Sequence, residues 1–387
     1  MKLASRMNRL GTETAFEVLA RARALEAQGR EIVHLEIGEP DFDTPANVVK
    51  AGVDALQNSH THYTPSAGTP EFRKAIADYI SETRRIDVTP DMVVVVPGGK
   101  PTIFYTIMAL LEQGDEAIYP NPGYPIYESV INFSGATAVP CKISMENDFG
   151  FDVKELRNLV TPRTRLIVIN SPANPTGGVL SMADMEAIAD IAIKNDIMVL
   201  ADEIYSRIIY EGEHVSITAI PGMTERTILL DGHSKTYAMT GWRLGYGVMP
   251  VELAQQVTRF QTNAVSCNAA FTMKAGLEAL VGPQDDVDKM VEAFRQRRDV
   301  IVDGLNTIPG FKCLKPKGAF YAFPNIEGTG LDSKTMADYL LNEGGVAVLA
   351  GTSFGQYGEG FLRLSYANSI ENLEKALRMI RTAVDKL

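Results

Sequence analysis

The chain has 387 residues, 45% apolar and 22% charged, enough for two domains, or one large and one small, around a substantial buried core. Its net charge of −11 disfavours nucleic acid and anionic membrane surfaces as partners, but leaves room for a small anionic ligand held by local basic residues. The three cysteines, Cys141, Cys267 and Cys313, are too few and too far apart for a disulfide framework or a metal cluster, and no run approaches membrane-span length, so a cytoplasmic location in a reducing compartment is expected.

Residues 1–15 read as an irregular polar arm, followed by a helical pattern over Phe16–Gln28 that stops at Gly29. A short strand is expected at Ile32–Ile37, ending in the breaker-rich Gly38-Glu39-Pro40-Asp41-Phe42, and helices at Val48–Leu56 and around Glu71–Ser81, with the loop His62–Gly68 between them. A strand and helix alternation then begins. Strands are expected at Met92–Val96, Ala117–Tyr119, Leu166–Ile169, Ile197–Leu200, Ile228–Leu230 and Leu244–Val248, and helices at Pro101–Leu111, Tyr124–Phe133, Met182–Lys194 and through Val251–Leu305. Continuous apolar strands between amphipathic helices predict an α/β fold with a mostly parallel sheet covered on both faces. Near Gly310 the pattern turns to α+β, with strands expected at Phe311–Leu314, Ala319–Phe323, Val346–Leu349 and Phe361–Leu364 and helices at Ser333–Leu341 and Ile370–Lys386. The expected division is an arm at 1–15, a small domain from 16–44 and 310–387, and a large domain at 45–309.

Ligands of open α/β sheets gather at the carboxyl ends of the strands, and the notable residues fall there. Gly98-Gly99-Lys100 stands where a helix start would favour a phosphate, unless it is a plain turn. Asn170–Gly178 is a loop of turn residues that would aim the Asn174 amide into the crevice. Asp202 ends a strand where a partly buried carboxylate would need a cationic partner, or else would cap a helix over Glu203–Ile209. Lys235, flanked by small and hydroxylic residues, suits a desolvated Schiff-base nucleophile, and Arg243 eight residues on suits a phosphate. Arg363, in a strand, asks for a bidentate carboxylate or an interdomain ion pair. Gly232–Thr236 lacks the second glycine of a nucleophile elbow, Gly355–Gly360 reverses the order of a dinucleotide fingerprint, and the five histidines have no metal-ligand spacing.

Three segments, Asn174-Pro175-Thr176-Gly177, Asp202-Glu203-Ile204-Tyr205, and Ser234-Lys235 with Gly241-x-Arg243-x-Gly245-Tyr246, occur in order along the chain. As a set they resemble the class I aminotransferases, pyridoxal-phosphate enzymes of fold type I, and the resemblance covers nearly the whole sequence. It implies that Lys235 carries pyridoxal 5'-phosphate and then shuttles a proton, that Asp202 pairs with the ring nitrogen, and that Tyr205 and Asn174 hydrogen-bond the ring hydroxyl. It also implies that Gly99, Lys100, Ser234 and Arg243 hold or adjoin the phosphate, that Tyr124 stacks on the ring, and that Tyr63 reaches the cofactor of a second subunit in a homodimer. Arg363, helped by the Gly38 backbone, would clamp the substrate α-carboxylate.

Lys100 matches a lysine that reads an acidic side chain in the bacterial aspartate and prephenate branch, which implies aspartate or glutamate as donor and 2-oxoglutarate as acceptor in a ping-pong reaction. Two departures stand out. The hydroxyl-bearing segment of that branch is altered around Glu13-Thr14-Ala15, and Gly232 replaces a phosphate-contacting serine, which His233, Ser234 or a backbone N–H would have to replace. The rival readings are a β-lyase, decarboxylating or oxidative enzyme on the same fold and cofactor, and a non-enzymatic regulatory module, which would carry an appended DNA-binding segment or a damaged lysine site.

Overall fold

A computed structural model describes all 387 residues. In chain order the first half carries α1 (Ala15–Glu26), β1 (Val33–His34), α2 (Ala46–Gln57), α3 (Pro70–Arg84), β2 (Val93–Val96), α4 (Lys100–Leu110), β3 (Glu116–Asn121), α5 (Ile126–Ser134), β4 (Thr137–Lys142), α6 (Val153–Leu159), β5 (Thr164–Asn170) and α7 (Met182–Lys194). There follow β6 (Met198–Asp202), β7 (Thr227–Gly232), α8 (His233–Thr236), β8 (Gly245–Val248), α9 (Val251–Val265), α10 (Ala270–Val281) and α11 (Asp285–Leu305). The last stretch holds β9 (Tyr321–Ala322), α12 (Ser333–Tyr339), β10 (Val346–Ala347), β11 (Leu349–Ala350), β12 (Leu362–Ser365) and α13 (Ile370–Val384).

Seven strands form one sheet in the order β2-β8-β7-β6-β5-β3-β4, parallel throughout except that β8 runs against both of its neighbours. Alternate residues of each strand serve opposite faces. Leu166 and Val168 of β5 pack with Ile103, Tyr127 and Val257 from α4, α5 and α9, while Ile167 and Ile169 pack with Met185 and Ile188 of α7. At the other end of the sheet Val93 and Val95 join Phe72 and Ile76 of α3 and Met273 of α10. Both faces are therefore covered, which is why these strands read as unbroken apolar runs.

The C-terminal part builds its own core. Strands β9 and β11 flank β12 in an antiparallel sheet, β1 pairs in parallel with β10, and Phe294 and Ile301 of α11 meet Ile380 of α13 beneath them.

Several expected elements differ. Strand β4 and helix α6 are additional. Strand β4 is the half-exposed edge of the sheet, where Pro140 costs no ladder bond and interrupts the apolar signal. Helix α6 is seven residues, fixed by the Asp152 carboxylate accepting from the N–H groups of Lys154 and Glu155. The strand expected at Phe311–Leu314 does not form, and only Lys312 bridges to Asn325. The strand expected at Ile32–Ile37 is limited to two residues, because the Leu35 and Glu36 carbonyls turn to Ser365 and Arg363 instead. The helix considered for Glu203–Ile209 is a pair of tight turns, closed by Ser206 N–H on Glu203 O and Ile208 N–H on Tyr205 O.

Candidate active site

The carboxyl ends of β5, β6 and β7 open onto a cavity of about 540 Å³, roofed by Glu13 and the first turn of α1, by the irregular segment Ile37–Glu39 and by Tyr321 and Arg363 of the C-terminal core. Gly38, Gly99, Lys100, Tyr124, Asn174, Asp202, Tyr205, Ser234, Lys235, Arg243 and Arg363 all line it. Of the site residues expected from sequence, only Tyr63 lies elsewhere, 90% exposed on the surface.

Lys235 sits in the one-turn helix α8, immediately after β7. That turn is pinned from behind by His233, which is fully buried against Phe72, Tyr237 and Tyr246 and whose Nε2 lies 3.2 Å from the Gly276 carbonyl. The ring packs in the core and does not line the cavity, so it is not placed to stand in for a serine at Gly232, and burial lowers its pKa to about 4. Ser234 reaches the cavity and keeps that role open. The Lys235 amine donates to the Gly38 carbonyl at 2.5 Å, and desolvation, helped by Arg363 and Arg243, brings its pKa down to about 8 against the pull of Glu39. It is an amine easily deprotonated near neutrality.

Asp202 ends β6 fully enclosed, deeper than the partial burial expected of it. Its carboxylate accepts from the Tyr127 hydroxyl at 2.7 Å and from the Ile204 N–H at 3.2 Å, with no cationic partner. Desolvation raises its pKa to about 6 despite those two bonds. A carboxylate held this way is stabilised by any cation brought against it, a protonated ring nitrogen included.

The Asn170 side chain staples the loop that presents Asn174. Its amide nitrogen donates to the carbonyls of Pro172 and Asp202, and its oxygen accepts the Asn174 N–H at 2.9 Å. Asn174 Oδ1 in turn accepts from Arg363 at 3.2 Å. Arg363 is buried in β12, lies 4.6 Å from the Tyr321 ring centroid and 4.9 Å from that of Phe354, and also donates to the Glu36 carbonyl. No protein carboxylate meets it and its Nε has no partner, so the interdomain ion pair considered from sequence is not formed. A buried guanidinium in that state is a ready fork for a carboxylate ligand.

On the opposite wall Gly98 adopts a left-handed φ of +82°, and a Cβ there would come within 2.2 Å of the Arg243 guanidinium. A Cβ on Gly245 would strike the Gly98 carbonyl carbon at 2.7 Å. The two glycines let β8 pass beneath the turn, so that Arg243 and the N-terminal end of α4 face one spot, a site suited to a phosphate. Lys100, at the first turn of α4, is ion-paired to Glu13 rather than free.

A phosphorylated pyridine aldehyde fits this donor set. Lys235 would carry it, Asp202 would meet its ring nitrogen, and Arg243 with the Gly98-Gly99 turn would hold its phosphate. Sequence reasoning missed Tyr127, Tyr321 and Glu13. The Tyr321 hydroxyl stands 2.8 Å from that of Tyr205. The two tyrosines lie in a helix and a strand where any core aromatic looks the same, whereas Glu13 was visible only as an altered segment.

A family described as aminotransferase class I and II matches residues 30–380. The aspartate aminotransferase of Musicola paradisiaca is 38% identical over 99% of this chain and 96% of its own length. The arginine–pyruvate transaminase of Pseudomonas aeruginosa is also 38% identical, over 96% of this chain and 95% of its own. The solved structure of Thermus thermophilus aspartate aminotransferase with maleate superposes with a TM-score of 0.95 at 37% identity, covering 99% of this chain and 100% of the other.

Proposed function

The chain belongs to the class I and II aminotransferases, pyridoxal-phosphate-dependent enzymes, and on that premise we propose that it moves the amino group of an L-amino acid, aspartate or glutamate by preference, to a 2-oxo acid such as 2-oxoglutarate in a ping-pong cycle. The observation that carries the reading is the convergence of an easily deprotonated lysine, a buried carboxylate without a cation and a buried arginine without a carboxylate on one cavity. The cofactor, when bound, supplies an electron sink for the bond electrons at the substrate Cα.

The residues then divide the work. Arg363 receives the α-carboxylate in a two-bond fork and, through Asn174, is held in register with the loop beyond β5. The Lys235 amine would take the Cα proton and return it on the far side of the amino nitrogen, a role that its lowered pKa suits at neutral pH. Asp202 stays ionised when a ring cation meets it, and Tyr127 orients its oxygen. Tyr205, braced by Tyr321, would donate to the ring hydroxyl. Arg243, Ser234 and Gly99 would hold the phosphate, Lys100 would stand beside it with its amine turned to Glu13, and Tyr124 would lie over the ring.

The same reading makes the enzyme a homodimer. Val49, Val53 and Leu56 form an exposed apolar stripe along α2, and Tyr63, the residue assigned to a partner's cofactor, stands out beyond it. The proposed division keeps 16–44 and 310–387 as a small domain beside the large domain 45–309, and the core under α13 joins that small domain to Phe294, Ile301 and Leu305 of α11 in the large one. Three free cysteines suit a cytoplasmic setting, and no helix is long and apolar enough to cross a membrane.

The test is the absorption spectrum of the purified protein during addition of one amino acid without an oxo acid. Colour that bleaches stoichiometrically with aspartate or glutamate and returns with 2-oxoglutarate is the expected result. Release of ammonia or pyruvate in place of amino transfer would refute it. Lys235→Ala is expected to abolish turnover while retaining some cofactor, and wild-type-like turnover would remove the lysine from its role.

A further inference from the structure

We propose that Glu13 sets the side-chain specificity of the cavity, by holding Lys100 in an ion pair that a substrate carboxylate has to displace. The inference rests on the transaminase reading above and concerns only what the cavity does with the substrate's far end.

The lining contains four cations, Lys100, Lys235, Arg243 and Arg363, and three carboxylates, Glu13, Glu39 and Asp202. Most are committed. Asp202 and Lys235 lie at the floor, Arg363 and Arg243 are without a protein carboxylate and await the two anionic groups of substrate and cofactor, and Glu39 turns to the Thr240 hydroxyl. The remaining cation that a second substrate carboxylate could reach is Lys100, and it is taken. Glu13 Oε1 accepts from the Lys100 amine and, at 3.0 Å, from the Tyr124 hydroxyl, while the amine also stands 5.6 Å from the Tyr124 ring centroid.

The pair is built to open. Glu13 belongs to the irregular stretch before α1, free of helix or strand bonds, and that stretch is moored through the Gly11 N–H on the Ser129 hydroxyl. The side chains of Glu13 and Lys100 are 23% and 45% exposed, so the interaction is partly solvated and its rupture costs a few-fold, up to about fivefold, in affinity. With the pair closed, the far end of the cavity is electrically neutral and lined by Tyr124, Phe16 and the stem of Lys100, which suits an uncharged side chain. A carboxylate has to take Lys100 from Glu13, whereas a cationic side chain finds the Glu13 carboxylate in place. Glu13 thus narrows the preference for dicarboxylic substrates that Lys100 alone would give, and lets one cavity serve side chains of different charge.

The experiment uses the holoenzyme and follows cofactor bleaching in the half-reaction with L-aspartate, L-alanine and L-arginine. In Glu13→Gln, which keeps an acceptor for Tyr124, the ratio of kcat/KM for aspartate to that for alanine is expected to rise about twofold to fivefold, and the arginine-to-alanine ratio to fall by a similar factor. Lys100→Met should lower the aspartate-to-alanine ratio, and Glu13→Gln added to it should produce no further rise. Bleaching intact in Glu13→Gln with both ratios unchanged would overturn the role of Glu13. Failure of the unaltered enzyme to bleach with any of the three would instead overturn the transaminase reading itself.

Discussion

Two charge clusters flank the cavity, one behind its floor and one at its mouth, and they use the same chemistry to opposite ends. Behind the floor, Arg84 at the last turn of α3 donates to Glu203 and to Asp231, each at 2.9 Å, with all three side chains at most 4% exposed. His214 Nε2 at 2.8 Å and the Ser216 hydroxyl at 2.5 Å complete the shell of Glu203, and Ser206 adds a bond to Asp231. Glu203 directly follows Asp202, and Asp231 stands four residues before Lys235, so the cluster ties together the ends of the two strands that carry the floor groups. At the mouth, Lys100 and Glu13 are partly solvated, and Glu13 comes from chain with no regular structure. Desolvation turns an arginine–carboxylate set into a rigid clamp, because no partner can leave without stranding a charge. Solvation turns a lysine–carboxylate pair into something a ligand can open.

The largest expected effect tests the clamp. Arg84→Ala leaves Asp231 buried without its cation and Glu203 with only His214, and should cost about 3–5 kcal/mol of stability, read as a lower denaturation midpoint. The acids respond in opposite ways to this environment. His214 and Arg84 outweigh burial at Glu203 and depress it to about 2, whereas burial wins at Asp231 and raises it to about 6. If Arg84→Ala is as stable as the unaltered protein, the contrast between floor and mouth is lost. The aspartate-to-alanine ratio, by contrast, should not follow Arg84.

Next in size is Arg363→Ala, which removes the fork from between the two regions. It should raise KM for every amino acid by about a hundredfold, as expected for losing two charge-assisted bonds, with the cofactor spectrum unchanged. An unchanged KM would move the carboxylate site elsewhere.

The floor also makes a pH prediction of about tenfold per unit. The Lys235 pKa is lowered, so the reactive neutral amine is populated above about 8 and lost as pH falls below it. Capture of pyridoxal phosphate by protein stripped of it should therefore climb from pH 6 to 8 and level off above 9. A climb that continues to pH 10.5 would indicate a lysine that the floor does not desolvate.

The two regions also differ in how far the sequence disclosed them. Lys235, Asp202, Asn174 and Arg243 were legible because each sits at a strand end or tight turn, where a short run of special residues is needed and neighbours along the chain supply the geometry. Arg84 closes an ordinary helix, and its partners lie 119 and 147 residues away, so nothing local distinguishes it from a solvated arginine. Glu13 and Lys100 are 87 residues apart, and only folding brings them together. Tyr127 and Tyr321 read as core aromatics until a neighbour, Asp202 or Tyr205, gives their hydroxyls a purpose. Two elements of an otherwise legible α/β fold escaped the sequence for similar reasons: edge strand β4 contains Pro140, and the apolar run at Phe311–Leu314 finds only one bridging partner.

The smallest effect is the one that separates the mouth from the floor most cleanly. Glu13→Gln removes a charge from a pair whose members are already wet, so stability should fall by less than about 1 kcal/mol, against the several expected for Arg84→Ala. What little it contributes is electrostatic and screened, and the small difference should shrink further as ionic strength rises past physiological values. The Arg84 cluster is closed to counterions and should show no such dependence. A Glu13→Gln protein destabilised as much as the Arg84 variant would mean that the Glu13–Lys100 contact anchors the N-terminal segment, and displacement by a substrate carboxylate would then be too costly to govern specificity.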